Sequence, residues 1–340
     1  MKKLYKLSLL LVAIMILTMS AASAADTNDM ADVISEEESN SLELDESLSE
    51  AEASGNDDVL ADDGTTFSSL QDEIDGGGNS VTLTKNYTRI DSDNDINITK
   101  DITIDGKNEY KIDADKKGRI FDIKNAEVTL IGITFENGKI NPDYGGIICA
   151  NNSKLTIINC TFYNFFNYNR NSNYVGWGGA ISAINCDSLT VDNCKFIFSS
   201  YDTTAAYGGA IYSNNTKNNI IKNSRFTGMA AAEDGGAIYI INSDGTNTIY
   251  NCEIYDNQAG NNNGGGLYAQ NLNITVDKCY FHDNSMRGKK GAAIFFEDGI
   301  INLTNSKFEN NDLNGALQSI SISGDSLLIV KNVDILNEMM

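Results

Sequence analysis

Leu189-Thr190-Val191-Asp192-Asn193-Cys194-Lys195-Phe196 is one copy of an eight-residue pattern: apolar, any, apolar, any, Asn, then Cys, Ser or aliphatic, any, and Phe or Ile. The other copies are Val128 to Phe135, Leu155 to Phe162, Asn219 to Phe226, Asn247 to Ile254, Ile274 to Phe281, Ile301 to Phe308 and Leu328 to Ile335. Their last residues lie 27, 34, 30, 28, 27, 27 and 27 apart, so each copy marks one repeating structural unit. The first and third positions alternate with polar ones as in a half-buried strand, and the sixth and eighth are apolar one register out. Something at position five must turn the chain. That position holds Gly132, Asn159, Asn193, Asn223, Asn251, Lys278, Asn305 and Asn332. Exchange of Gly for Asn is the mark of a left-handed backbone corner, and only Lys278 departs from it.

A second motif alternates with the first: Gly145-Gly146-Ile147-Ile148, Gly178-Gly179-Ala180-Ile181, Gly208-Gly209-Ala210-Ile211, Gly235-Gly236-Ala237-Ile238, Gly264-Gly265-Gly266-Leu267 and Gly291-Ala292-Ala293-Ile294. It supplies a third strand, entered through glycines where neighbouring backbones crowd. Three strands and three turns per coil make an all-β, parallel β-helix. Coils stacked at roughly 4.8 Å give a prism of about eight to nine coils and on the order of 40 Å. The one helix expected is Thr66 to Ile74, with Thr66 as cap and Gly76-Gly77-Gly78 as stop, lying across the first coils and covering a sheet edge.

Charge divides the chain into a signal peptide (1–25), an acidic spacer (26–63) and the β-helix domain (64–340). Residues 1–25 carry Lys2, Lys3 and Lys6, an apolar run from Leu7 to Met19, and small residues up to Ala25. They read as a secretory signal cleaved near Ala24 or Ala25, the apolar run being too short to span a bilayer. Asp26 to Asp63 holds fifteen acidic and no basic residues, the composition of a disordered, self-repelling spacer. No second apolar stretch of spanning length follows, so a secreted or cell-surface location without membrane insertion is expected. A net charge of −22 opposes nucleic acid as a partner. One histidine, His282, and six cysteines without paired CxxC spacing exclude a multi-histidine or zinc-ribbon centre, and no cofactor is expected.

The GGAI and FxxN signatures, as Gly235-Gly236-Ala237-Ile238, Phe281-His282-Asp283-Asn284 and Phe308-Glu309-Asn310-Asn311, resemble polymorphic outer-membrane protein repeats. Residues 65–340 as a whole, with Ile102-Thr103-Ile104-Asp105-Gly106, more closely resemble the right-handed parallel β-helix domain of adhesin-like surface proteins of methanogenic archaea. The resemblance implies a right-handed solenoid and a binding role more than a catalytic one. Longer relatives continue into Ig-like repeats and an anchoring segment, or into a membrane barrel; neither is seen in this sequence.

Each candidate site has a plainer structural reading beside it. Cys160, Cys194, Cys252 and Cys279 share position six with Ser224 and Ser306, and buried free thiols there are favoured over disulfides. Cys149 and Cys186 sit elsewhere in their coils. The position-five asparagines read as a stacked amide ladder rather than as ligands. Asp91-Ser92-Asp93-Asn94-Asp95 reads as a solvated turn, with Ca²⁺ as the alternative, since it lacks an EF-hand's glycine and distal glutamate. Lys195, Arg225 and Glu253, and likewise Glu233 and Asp234, read as ordinary outward charges, so no catalytic residue is assigned. Asn86, Asn97, Asn151, Asn214, Asn273 and Asn302 carry N-x-S/T sequons open to glycosylation, whereas Asn159, also in a sequon, is expected to be buried.

Aromatic residues form the candidate ligand-binding set. Tyr144, Trp177 and Tyr207 precede the glycine motif in three coils, and Tyr212, Tyr239, Tyr268 and Phe295 follow its aliphatic position in four. Alternation points the second series outward, where it either stacks on itself or offers a flat platform to a glycan or protein side chain. The longest insertion places Phe165, Phe166, Tyr168, Arg170 and Tyr174 in a loop leading into Trp177. The expected function is an exported adhesin-like protein binding an extracellular glycan or surface protein. A polysaccharide lyase or glycoside hydrolase of the β-helix type is the alternative, and a structural cell-envelope spacer the second. At the C-terminal coil, Leu328, Val330 and Val333 lead to an expectation of end-to-end self-association.

Overall fold

The structure, a computed structural model, describes residues 65–139, 144–165, 176–197, 205–313 and 315–336. The signal-peptide and spacer assignments, and Phe166, Tyr168, Arg170 and Tyr174, lie outside the described residues. The rest winds into a parallel β-solenoid of about nine turns with one short helix near its start.

Each full coil begins with a strand after the glycine motif, such as Ile211–Asn214, followed by a second such as Asn218–Lys222 and a third such as Arg225–Thr227. The third strands form a sheet of 10, one above another. The first and second strands share a sheet of 16, because the continuous strands Leu267–Asp277, Ile294–Thr304 and Ile320–Lys331 join them around the corner. The expected three strands per coil fall short by one. From Ala205 onward a short fourth strand precedes the glycines, as in Ala230–Asp234 and Gln258–Ala259, and adds a 6-stranded sheet.

Register is strict, so each position becomes a column. At position eight Phe135, Phe162, Phe196 and Phe226 stack at ring separations of 5.1, 4.6 and 4.6 Å, and Phe281 and Phe308 resume the column at 5.1 Å. All are fully buried and occupy the core. Where the first pattern position is Asn rather than apolar, the column stays buried and becomes a polar chain. Asn219 Nδ2 donates to Asn247 Oδ1 at 2.8 Å, while Ser213 Oγ donates to Asn219 Oδ1 at 2.6 Å and Ser243 Oγ to Asn247 Oδ1 at 2.7 Å. The FxxN asparagines form another buried ladder. Asn257 Nδ2 donates to Asn284 Oδ1 at 2.9 Å, and Asn284 Nδ2 to Asn311 Oδ1 at 3.0 Å. Satisfied in this way, buried amides avoid the cost of an unpaired polar group.

Position five is left-handed in every copy, with φ from 46° to 59°, and Lys278 adopts it too at 54°. Asn193 bonds Asn159 at 2.8 Å, Asn251 bonds Asn223 at 3.0 Å and Asn332 bonds Asn305 at 3.1 Å. The ladder breaks where Asn223 and Asn305 turn to Asp192 and Asp277 instead. These corners face solvent, so the expected burial of Asn159 is wrong: its amide is bonded but its side chain is exposed.

Position six follows from the same corner. Its Cys or Ser donates to the carbonyl two residues back, as in Cys194 to Asp192 at 3.3 Å and Ser306 to Thr304 at 2.7 Å. Ser224 and Ser306 also accept the amides of Cys194 and Cys279 from the coil below, each at 3.0 Å. Thiol and hydroxyl exchange here because both donate and accept in a buried column, which filling space alone would not require. All six cysteines are free and buried. Burial pushes the Cys160 and Cys279 thiols well up, which keeps them protonated and unreactive.

The helix α1 spans Phe67–Gly76, with the Thr66 side chain accepting the Ser69 amide as its cap. Phe67, Leu70 and Ile74 pack into the main core. In the Asp91–Asp95 segment Asp91 and Ser92 form an exposed turn, as expected, but Asp93 within it holds this helix in place. Asp93 is buried, and its carboxylate accepts the amides of Phe67, Ser68 and Ile90 and the Ser68 hydroxyl. Asp95 pairs with Arg89 at 2.6 Å and Arg119 at 3.7 Å, so guanidinium groups stand where a cation reading would need an open carboxylate.

Replacing Asn223 or Asn251 by Gly is expected to leave the denaturant midpoint nearly unchanged, since Gly accepts the corner and only an exposed hydrogen bond is lost. Val at either position is expected to cost more than about 1 kcal/mol. Equal losses from Gly and Val would show that backbone conformation does not govern the choice of residue there.

Candidate functional site

The glycine motif shapes the face that carries the aromatic residues. Its first glycine is left-handed at Gly145, Gly178, Gly208, Gly235, Gly264 and Gly291, with φ from 52° to 74°. A Cβ on the second, at Gly209 or Gly236, would collide with a carbonyl oxygen of the next coil. The turn is therefore tight, and residues on its two sides meet outside the sheet.

Two columns meet there. Tyr144, Trp177 and Tyr207 lie in one column of bridges and continue into Asp234, while Asn263 and Lys290 pair in the coils above. The other column runs Asp122, Cys149, Ser182, Tyr212, Tyr239, Tyr268 and Phe295. Bulk is shared between them: beside the small Cys149 and Ser182 stand Tyr144 and Trp177, and beside the rings of Tyr239 to Phe295 stand polar residues. Trp177 packs on Tyr212 at 5.8 Å, and Tyr212, Tyr239, Tyr268 and Phe295 stack at 5.4, 4.7 and 5.3 Å.

The four rings of this second column are outside the main core yet only 4 to 8% exposed, so they form a small hydrophobic core of their own. Of the two readings of these four residues, stacking on one another is the one present and the open flat platform is not. Tyr144, Trp177 and Tyr207 are half-buried at its rim. Phe165 follows the strand Thr161–Tyr163 without regular secondary structure, as expected of the loop, but its ring is buried in the main core.

A polar groove of about 840 Å³ adjoins this face. Its wall belongs to a second left-handed column, at Asn152, Asn185, Asn215, Asn242, Asn271 and Asp298, with φ from 49° to 57°, of which the last four line the groove. Asn271 donates to Asn242 at 2.9 Å and Asn215 to Asn185 at 2.7 Å. The groove exists because the corner changes length. Ser243 pairs with Leu272 and Thr248 with Thr275, so five residue steps in one coil face three in the next. Asp244 and Gly245 overhang the shorter coils, and Asn273, Asp298 and Asp325 lie beneath. Tyr268 Oη donates to Gln270 at 3.2 Å, and Gln270 to Glu297 at 2.9 Å, which links the ring column to the groove wall.

Sequence reading missed this column, although its signal is present: Asn or Asp stands seven residues after the first glycine of every glycine motif, from Gly145 and Asn152 to Gly291 and Asp298. It also took Asp234 for an ordinary outward charge. Asp234 is buried beside Tyr207 and Tyr239, accepting the Asn263 amide at 2.8 Å, and Glu233 accepts Asn262 Nδ2 at 2.7 Å. Burial, with a smaller push from the Glu233 charge, raises the Asp234 carboxyl to about 6 against the pull of Asn262 and Asn263.

The outward charges Arg225 and Glu253 form part of a closed cluster on the third-strand face. Arg225 pairs with Glu253 at 2.7 Å, and His282 bonds Asp283 at 2.7 Å and Glu253 at 3.4 Å while stacking on Tyr255 at 4.7 Å. Burial works to lower the His282 pKa, but the hydrogen bonds to Glu253 and Asp283 outweigh it and raise the value.

The family model for the right handed beta helix region matches residues 145–335, more than half of the chain. The chain belongs to the right-handed β-helix family. No curated protein and no solved structure matches it. The matched stretch takes in Trp177, Tyr207, the rings from Tyr212 to Phe295 and every residue that lines the groove, and begins just after Tyr144.

Because the folded Asp234 lies above the ordinary value of 3.8, its ionisation opposes folding. The penalty is absent below the unfolded value, grows as pH rises toward about 6, and is complete above that. Asp234→Asn, which keeps an acceptor for the Asn263 amide, is therefore expected to raise the unfolding midpoint at pH 7 and leave it unchanged near pH 3. An equal shift at both values would contradict the assignment.

Proposed function

We propose that this protein is an exported, adhesin-like binding protein that recognises an extracellular glycan through the rim of the aromatic column and the adjoining amide groove. The observation that carries the reading is the groove's construction: amides repeated once per coil, set beside an aromatic ridge on a rigid scaffold. A primary amide offers two N–H donors and two acceptor lone pairs. A ladder bond such as Asn271 to Asn242 uses one of each, and leaves hydroxyl-matching capacity along the row. Sites of this kind combine apolar surface with a few placed polar groups. The resemblance to archaeal adhesin-like surface proteins supports the same reading, as does the secretory signal read from residues 1–25.

A polysaccharide-cleaving β-helix is the second reading, and Asp234 is the observation in its favour. A carboxyl raised to about 6 beside Glu233 keeps its proton into mildly acidic pH, where a general acid could use it. A glycan-binding screen of residues 65–340, run beside a reducing-end assay on the same polysaccharides, separates the two. Binding without release of reducing ends, unchanged by Asp234→Asn, is the expected result. Release of reducing ends that Asp234→Asn abolishes would replace the binding reading with the enzymatic one.

Self-association belongs to the same proposal. In the last described coil Leu328 and Val333, expected to be uncovered, are half-buried against the core, whereas Val330 is 53% exposed and is joined by Leu327 and Ile329 at 52 and 45%; the counterparts Ile300, Asn302 and Leu303 are covered or half-covered. Sedimentation is expected to show concentration-dependent dimers that Leu327→Lys with Ile329→Lys abolishes. A monomer at high concentration in the unaltered chain would remove this part of the reading.

A further inference from the structure

We infer that the groove takes an extended glycan containing amino sugars, lying parallel to the solenoid axis with one sugar residue per coil, and that it rejects uronic-acid polymers. This rests on the glycan-binding reading and specifies its ligand.

Charge is the first argument. The groove is lined by Asp244, Asp298 and Asp325 among asparagine and serine side chains, and no Lys or Arg is among the residues that line it. Glu297 stands one position before Asp298 and is tied to the wall through Gln270. A uronate chain would bring its carboxylates against these carboxylates with no cation between, and like charges so placed suppress binding. A protonated amine on each sugar meets the opposite situation: charge-assisted hydrogen bonds to carboxylates are the strong ones.

Periodicity is the second. The wall presents Asn215, Asn242, Asn271 and Asp298 in four successive coils, one residue per coil. Their separation is set by strand pairing at about 4.8 Å, close to the length of one pyranose in an extended chain. Successive sugars thus meet equivalent groups, amides at one end and a carboxylate at the other.

The test uses the mature chain with three probes of matched length: glucosamine oligomers, their N-acetylated counterparts, and oligogalacturonates. Calorimetry is expected to show glucosamine oligomers binding best, N-acetylated oligomers roughly tenfold more weakly, and no measurable oligogalacturonate binding. The glucosamine advantage should shrink with added salt. Asp244→Asn with Asp298→Asn is expected to remove that advantage, bringing glucosamine oligomers to the affinity of their N-acetylated counterparts on the same variant, with an unchanged unfolding midpoint as the control for folding. Oligogalacturonates binding as well as glucosamine oligomers would overturn the inference and leave the glycan-binding reading standing, as would indifference of all affinities to the paired substitution. Failure of all three probes, together with a negative wider screen, would overturn both.

Discussion

In-register stacking of the coils is the constraint on which everything else depends. Each residue has its counterpart about 4.8 Å above and below, so a side chain is acceptable only if it tolerates a copy of itself at that distance. Phenylalanine does so by stacking, which explains the fully buried column from Phe135 to Phe226. Asparagine does so by donating to the next amide, which explains Asn257, Asn284 and Asn311 within the core. Serine and cysteine do so by turning to the carbonyl two residues back. A charge does so most readily beside one of opposite sign in the next coil, as with Arg225 and Glu253.

The same constraint separates the two parts of the outer face. Aromatic rings at one-coil spacing satisfy one another, and the row from Tyr212 to Phe295 closes into a second small core that holds the sheet without presenting its faces. Amides at one-coil spacing satisfy one another only in part, because each has two donors and two lone pairs and the ladder consumes one of each. The polar column therefore keeps binding capacity along its length, whereas the aromatic face offers only its half-buried rim of Tyr144, Trp177 and Tyr207. A change in corner length between successive coils then turns that column into a concave site. No single residue creates the groove; the two extra residues Asp244 and Gly245 do so by overhanging a shorter neighbour.

Much of the architecture was legible because a solenoid writes its period into the chain. The eight-residue pattern, the glycine motif and the left-handed position five each correspond to a column in the structure, and the capping helix starts at Thr66 as its cap residue implies. Alternation also assigned Tyr239 and Tyr268 to the outer side of their strands. What it left open was whether an outward ring is an exposed one. That depends on Tyr207 and Trp177, which reach the same space from across the glycine turn, and on the ring separation along the axis. Both are distances between segments far apart in the chain, and neither has a signature in a local window.

The environment of a charge was hidden for a related reason. Asp93 and Asp234 read as surface carboxylates, yet one caps a helix that begins 26 residues earlier, and the other is enclosed by tyrosines from neighbouring coils. Local pattern governs backbone conformation, because corners and strands are short-range steric choices made by a few consecutive residues. Burial, protonation and the shape of a groove are sums over neighbours that only winding brings together. The chain therefore carries its coil in every repeat, while the site arises from the differences between one repeat and the next.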